Sequence, residues 1–200
     1  MRFYSYILIT CGTLFIFSCD KPKKEDAPAP ASTTQVRVVN NLAANLVSGG
    51  RGHFTFFNLQ NNTIVPASDS ATTNWDIAFN ATTIIANSGT SGPGTVGMQM
   101  YTGLFETLTT APELGYLKDA TGLYAISTGS GNGWYNYNSS THVISAIPGR
   151  ILIVKTNNNA YAKIEIISYY LNAPVSPLNT HPSRYYTFRY RYQGDGTRTF

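Results

Sequence analysis

Charge is scarce in this 200-residue chain: Asp, Glu, Lys and Arg together make up 12%, about half the usual share of ~25%. Such a sequence is neither a charge-driven disordered chain nor a helical bundle laced with ion pairs. Charge of one sign is lacking too. Fourteen Lys and Arg stand against ten Asp and Glu, a net of +4, too weak a field to select nucleic acid as a partner. There are only two cysteines, Cys11 and Cys19, and three histidines. No HExxH or GxSxG occurs, and Gly89–Gly97 lacks the Gly-Lys-Ser/Thr of a phosphate loop. No carboxylate pair announces itself, and the chain reads as a non-enzyme. Convincing helical periodicity is nearly absent; Leu104–Leu108 and Pro112–Lys118 would each supply a turn or two at most. What the chain does have is apolar material, 42% hydrophobic and 13% aromatic, with 14 Tyr and 10 Phe. That suffices for one packed domain.

The N-terminus reads as an address. Arg2 precedes the apolar run 7–17, ILITCGTLFIF, which falls short of the ~20 residues a membrane-spanning helix needs and fits the apolar region of a secretion signal. It ends in Ile16-Phe17-Ser18-Cys19, which resembles a bacterial lipobox. Residues 1–18 are therefore expected to be a lipoprotein signal peptide, with Cys19 carrying the lipid, acyl chains such as palmitate included. Residues 19–34 hold three Lys, three acids, Pro and small residues but nothing large and apolar, the composition of a flexible tether. The Lys-Lys-Glu-Asp run inside it resembles the surface-export signals of Bacteroidetes lipoproteins. Outer-membrane attachment through the lipid, on the cell surface, is the expected location. Cys11 leaves with the signal and Cys19 is acylated, so the mature domain has no thiol for catalysis or metal binding.

Residues 35–200 read as strands and turns. Within Arg184–Gln193, Tyr186, Phe188, Tyr190 and Tyr192 share one parity, while Tyr185, Thr187, Arg189 and Arg191 take the other. In Ala160–Tyr170, Ala162, Ile164 and Ile166 oppose Tyr161, Lys163 and Glu165. Arg150–Thr156 is apolar on both faces, as a central strand would be, and Asn157-Asn-Asn159 suits the hairpin turn that follows. Further strands are expected over Gln35–Val39, His53–Leu59, Trp75–Asn80, Thr83–Asn87, Val96–Tyr101, Trp134–Asn138 and His142–Ile147. The fold class is mainly β, an antiparallel β-sandwich or set of stacked sheets, in a single domain over 35–200.

Five collinear segments carry a family resemblance: Trp75-Asp-Ile-Ala-Phe79, Asn87-Ser-Gly-Thr-Ser-Gly-Pro-Gly94, Ile147-Pro-Gly-Arg-Ile-Leu-Ile-Val-Lys-Thr156, Tyr161–Tyr170 and Tyr185–Gln193. Together they resemble the HmuY family of Bacteroidetes lipoproteins over roughly residues 36–200. The resemblance implies a surface haemophore-like carrier for iron acquisition. It would bind haem and pass it to an outer-membrane TonB-dependent receptor, holding the iron between two axial side chains.

A haem binder needs an apolar slot and donors reaching the iron. His142, in the turn Ser139-Ser-Thr-His142, is the favoured donor. Met98 and Met100, two apart, point to one face of a strand and cannot ligate one iron from opposite sides; either one could face His142 across it. His53 and His181 are weaker candidates. Tyr101, Trp134, Tyr135, Tyr137 and Arg150 are expected to line the pocket or its rim. The slot itself is expected between the sheets. Arg184, Arg189, Arg191 and Arg198 read as the solvated face of a terminal strand. Asp69-Ser70-Ala71 resembles the Bacteroidetes O-glycosylation sequence, and an exposed loop explains it equally well. The alternative is a β-sandwich that has lost the iron site and binds a glycan, another tetrapyrrole or a protein.

Overall fold

A computed structural model describes Met1, residues 35–45 and residues 53–200. The signal peptide, Cys19 and the tether therefore lie outside the described residues, Met1 apart. Eleven strands follow in order: β1 Val36–Ala43, β2 Thr55–Asn58, β3 Thr63–Val65, β4 Ile77–Asn80, β5 Thr83–Ala86, β6 Gly97–Thr102, β7 Tyr135–Asn138, β8 Val143–Ala146, β9 Arg150–Lys155, β10 Tyr161–Tyr170 and β11 Ser183–Gln193. The one helical element among the described residues is the 3-10 turn Ala67–Asp69. The mainly β, antiparallel class expected from the alternation is what forms. Of the two expected helical turns, Leu104–Leu108 closes a single one through Leu108 N–H to Leu104 C=O at 3.3 Å, whereas in Pro112–Lys118 Leu117 bridges Met98 instead.

The strands make a five-stranded sheet in the order β1-β11-β10-β9-β6, a four-stranded sheet β3-β2-β4-β5, and the hairpin β7-β8. The β9–β10 turn is made as its sequence demands. Asn159 takes φ 56°, the left-handed conformation asparagine tolerates, and its N–H bonds Thr156 C=O at 3.1 Å.

Parity decides which face meets the core. Tyr186, Phe188 and Tyr190 of β11 are fully buried, and they meet Phe57 and Phe79 of the four-stranded sheet. Phe188 lies 5.6 Å from each of those two rings, and Tyr186 lies 4.8 Å from Phe79. Leu152, Val154, Ala162, Ile164 and Ile166 face the same core, with Ile77, Ile84 and Ala86 opposite. The space between the sheets is thus filled by aromatic and branched side chains. Among the described residues, the inter-sheet slot expected from sequence is closed by Phe57, Phe79, Tyr186 and Phe188 packing against each other.

The far face of the five-stranded sheet is covered as well. Ile151, Ile153 and Tyr161, on the far side of the five-stranded sheet, pack under Phe105, Leu108 and Ala111. This lid buries Lys163, whose ammonium donates to Phe105 C=O at 2.6 Å and Leu108 C=O at 2.7 Å. Loss of solvent pushes its pKa down to about 8. Arg189 holds the same segment from the next strand, pairing Glu165 and Glu106 at 2.6 Å each, with its guanidinium 4.5 Å from the centre of the Phe105 ring. Arg189 is thus a clamp and not part of a solvated face.

Two buried carboxylates organise the loops. Asp119 accepts the Ala86 and Ala125 N–H groups at 2.9 and 2.8 Å. Asp76 accepts Leu59 N–H at 2.9 Å; burial pushes its pKa up to about 6, and that hydrogen bond only partly offsets the shift. A folded-state value above the unfolded 3.8 makes Asp76's contribution complete in acid and lost as pH rises through 6. Ionisation there costs about 3 kcal/mol. Asp76→Asn is therefore expected to be more stable than wild type in urea at pH 7.5, with the difference vanishing near pH 4. A pH-independent difference would contradict this.

Candidate functional site

The hairpin β7–β8 is tied to the sandwich at its base. Trp134 is buried, donates Nε1–H to Thr82 C=O at 2.9 Å, and packs its ring 5.1 Å from Tyr186 and 5.0 Å from Tyr135. Farther along, Ile144 N–H bonds the Tyr170 hydroxyl at 2.9 Å. The tip is closed by Asn138, whose Oδ1 accepts the Ser140 and Thr141 N–H groups at 2.9 and 3.1 Å, as an Asx turn does. His142 ends the turn at φ 56°. Among the described residues, five of the nine non-glycine residues with positive φ are asparagines, and histidine, like asparagine, is enriched in that region.

His142 is exposed, and its Nδ1 lies 2.7 Å from the Tyr137 hydroxyl. With the proton on Nδ1, donated to the phenol oxygen, Nε2 presents a free lone pair outward. A hydrogen bond from the other ring nitrogen orients metal-ligating histidines in this way. Thr141 and Val143, on either side of His142 in the chain, line a groove of about 360 Å³ with Pro177 and Leu178. Through Ser145 and Pro177 it runs into a second groove reaching Ile167 and Val175. Leu178, Ile167 and Val175 are exposed apolar side chains, so the hairpin is bordered by an oily belt open to solvent.

His181 stands on the Leu178 side of that groove. Its Nδ1 accepts Leu178 N–H at 3.0 Å, which in the neutral ring puts the proton on Nε2 and leaves no lone pair for a metal. Among the described residues no three His, Cys, Asp or Glu side chains gather as a metal cluster.

The other expected site residues lie elsewhere. Met98 is fully buried in the main core, so its thioether is packing. Met100 is half-buried against the same core, on an edge strand. Its backbone stands level with Leu152 and Ile164, whereas the hairpin is fastened at Tyr170. Those levels are roughly 15–20 Å apart at ~3.3 Å per strand residue, far beyond the span of two axial bonds to one iron. The pairing of either methionine with His142 is corrected accordingly. Tyr101 projects to the opposite face of its strand, into the small core under Phe105. Arg150 sits across from Thr102 at the same edge. Trp134 and Tyr135 belong to the core. Of the expected rim set, Tyr137 alone touches His142. A larger cleft, about 700 Å³, lies on the outer side of the four-stranded sheet and is lined by none of His142, Met98 and Met100.

A fold of two packed antiparallel sheets with a projecting hairpin defines the class, and comparison with known proteins gives the family. The family model described as HmuY protein matches residues 51–190. The chain belongs to the HmuY family. No curated protein matches it. Among solved structures, it is similar to an HmuY-like haem-binding protein from Bacteroides vulgatus, with 18% identity and TM-score 0.52 over 80% of this chain and 93% of that one. It is also similar to the apo HmuY analog of Tannerella forsythia, with 14% identity and TM-score 0.51 over 80% and 95%. The apo form of PinO from Porphyromonas gingivitis gives 15% identity and TM-score 0.53 over 80% and 98%. At these identities the likeness is one of fold.

Proposed function

We propose that this chain is a lipid-anchored surface protein that binds haem at the tip of the β7–β8 hairpin, with His142 as the iron donor, and passes it to an outer-membrane TonB-dependent receptor. The observation that carries the reading is the His142–Tyr137 pair: an exposed imidazole, hydrogen-bonded through Nδ1 at the tip of a hairpin, in a member of the HmuY family. Nε2 of His142 would donate its lone pair to the haem iron, and the exposed ring of Tyr137, hydrogen-bonded to His142, would shield part of the macrocycle from water. An open site suits a carrier, because cargo must leave toward a receptor. Cys19 would hold the protein at the membrane; among the described residues no helix is long and apolar enough to cross one. The protein performs no reaction on its cargo.

Haemin titration followed in the Soret region tests this. Wild type is expected to give a sharpened, saturable band that His142→Ala loses, and Tyr137→Phe is expected to weaken binding about tenfold through the lost orienting bond. A band unchanged in His142→Ala would remove the site from the hairpin. The family fold would then serve a different ligand, the second reading, favoured by one observation: a larger cleft, on the outer side of the four-stranded sheet, is lined by none of His142, Met98 and Met100.

A further inference from the structure

The cleft on the outer side of the four-stranded sheet has a character of its own. It is floored by Phe56 and Ile85 and walled by Phe54, Tyr124 and the turn around Thr90 and Ser91, with Ser70 at the rim. Its ~700 Å³ lies within the ~300–1,000 Å³ typical of small-molecule sites. Among the described residues, no charged side chain lines it. A ligand with carboxylates or phosphates would find no counter-charge, and a purely apolar one would strand the serine and threonine hydroxyls. Aromatic faces interleaved with hydroxyls suit a molecule with apolar C–H faces and a ring of neutral hydroxyl groups.

The walls are built rather than incidental. Trp75, 4.8 Å behind Phe56, donates Nε1–H to Ser70 C=O at 3.0 Å and so fixes the rim. Asn87 donates to Thr72 and Trp75 C=O at 2.9 and 2.8 Å and accepts Gly94 N–H at 3.0 Å, which pins the turn. The turn is closed so tightly that a Cβ at Gly92 would collide with Asn87 Oδ1 and the Trp75 ring. Gly89, at φ 57°, lies against the Asp119 carbonyl in the same way. A concave surface held this firmly loses little entropy when it binds.

We infer that this cleft is a binding site for a neutral carbohydrate, with sugar rings stacking on Tyr124 and Phe54 and their hydroxyls meeting Ser70, Thr90 and Ser91. The inference is independent of the haem site. Titrating the protein with maltohexaose, cellohexaose, xylohexaose, mannohexaose and chitohexaose, beside the acidic hexagalacturonate, tests it by calorimetry and by the emission of Trp75 beneath the floor. At least one neutral probe is expected to bind saturably and shift that emission. Tyr124→Ala is expected to weaken binding at least tenfold, and Ala71→Trp, which fills the cleft from an exposed rim position, to abolish it; both leave the buried core untouched. Absence of binding by every neutral probe, preference for hexagalacturonate, or binding that either variant leaves intact would overturn the assignment.

Discussion

Phe188→Ala is expected to lower the unfolding free energy by about 3–5 kcal/mol, the range for deleting a buried aromatic ring. Phe188 is fully buried at the middle of β11 and touches Phe57, Phe79 and Tyr190 with ring centres 5.6, 5.6 and 6.0 Å away. Those neighbours sit on strands of both sheets and are themselves hydrogen-bonded or interlocked, so the void cannot collapse cheaply. Tyr190, for example, donates its hydroxyl to Leu59 C=O at 2.9 Å. Total stability for a domain is only ~5–15 kcal/mol, so the variant would unfold at a much lower urea midpoint. A shift worth less than ~1 kcal/mol would mean that the sheets are not locked through this ring.

Asp119→Ala should cost about 2–6 kcal/mol, because it strands two buried N–H groups at ~1–3 kcal/mol each. The carboxylate joins Ala86, at the end of β5, to Ala125, which begins the segment that seats Ile126 in the main core. Asp119→Asn keeps one acceptor and turns a donor toward the other N–H, so it should fall between wild type and Asp119→Ala. Urea denaturation checks the order, and amide exchange at Ala86 and Ala125 checks its cause. Equal stability of all three proteins would contradict the bridging role.

The strand content was readable because apolar residues alternate where one face is buried, and Tyr186, Phe188 and Tyr190 are the clearest case. β3 escaped notice because it is three residues long and two of them are exposed. Alternation also showed that Met98 and Met100 share a face, but not what that face meets. Parity reports which side chains go together; whether a second sheet or solvent lies beyond depends on contacts distant in sequence. Lys163 illustrates the same limit. A lysine on the second face of a strand reads as solvated, yet residues 105–111 fold over it from over fifty positions away. Trp134 and Tyr135 were expected at the rim; they are the hairpin's root, and Tyr137, of Tyr135's parity, is the one that reaches the tip. The His142–Tyr137 bond had one local signal, a histidine ending a four-residue turn two positions beyond the cross-strand register of a tyrosine.

Resonance Raman spectroscopy of the ferrous haem complex tests the central claim most directly, since it observes the iron–imidazole stretch itself. The account predicts that band in wild type, its displacement in Tyr137→Phe as the Nδ1 hydrogen bond is lost, and its absence in His142→Ala. An identical band in wild type and His142→Ala, or no iron–imidazole band in wild type, would contradict it.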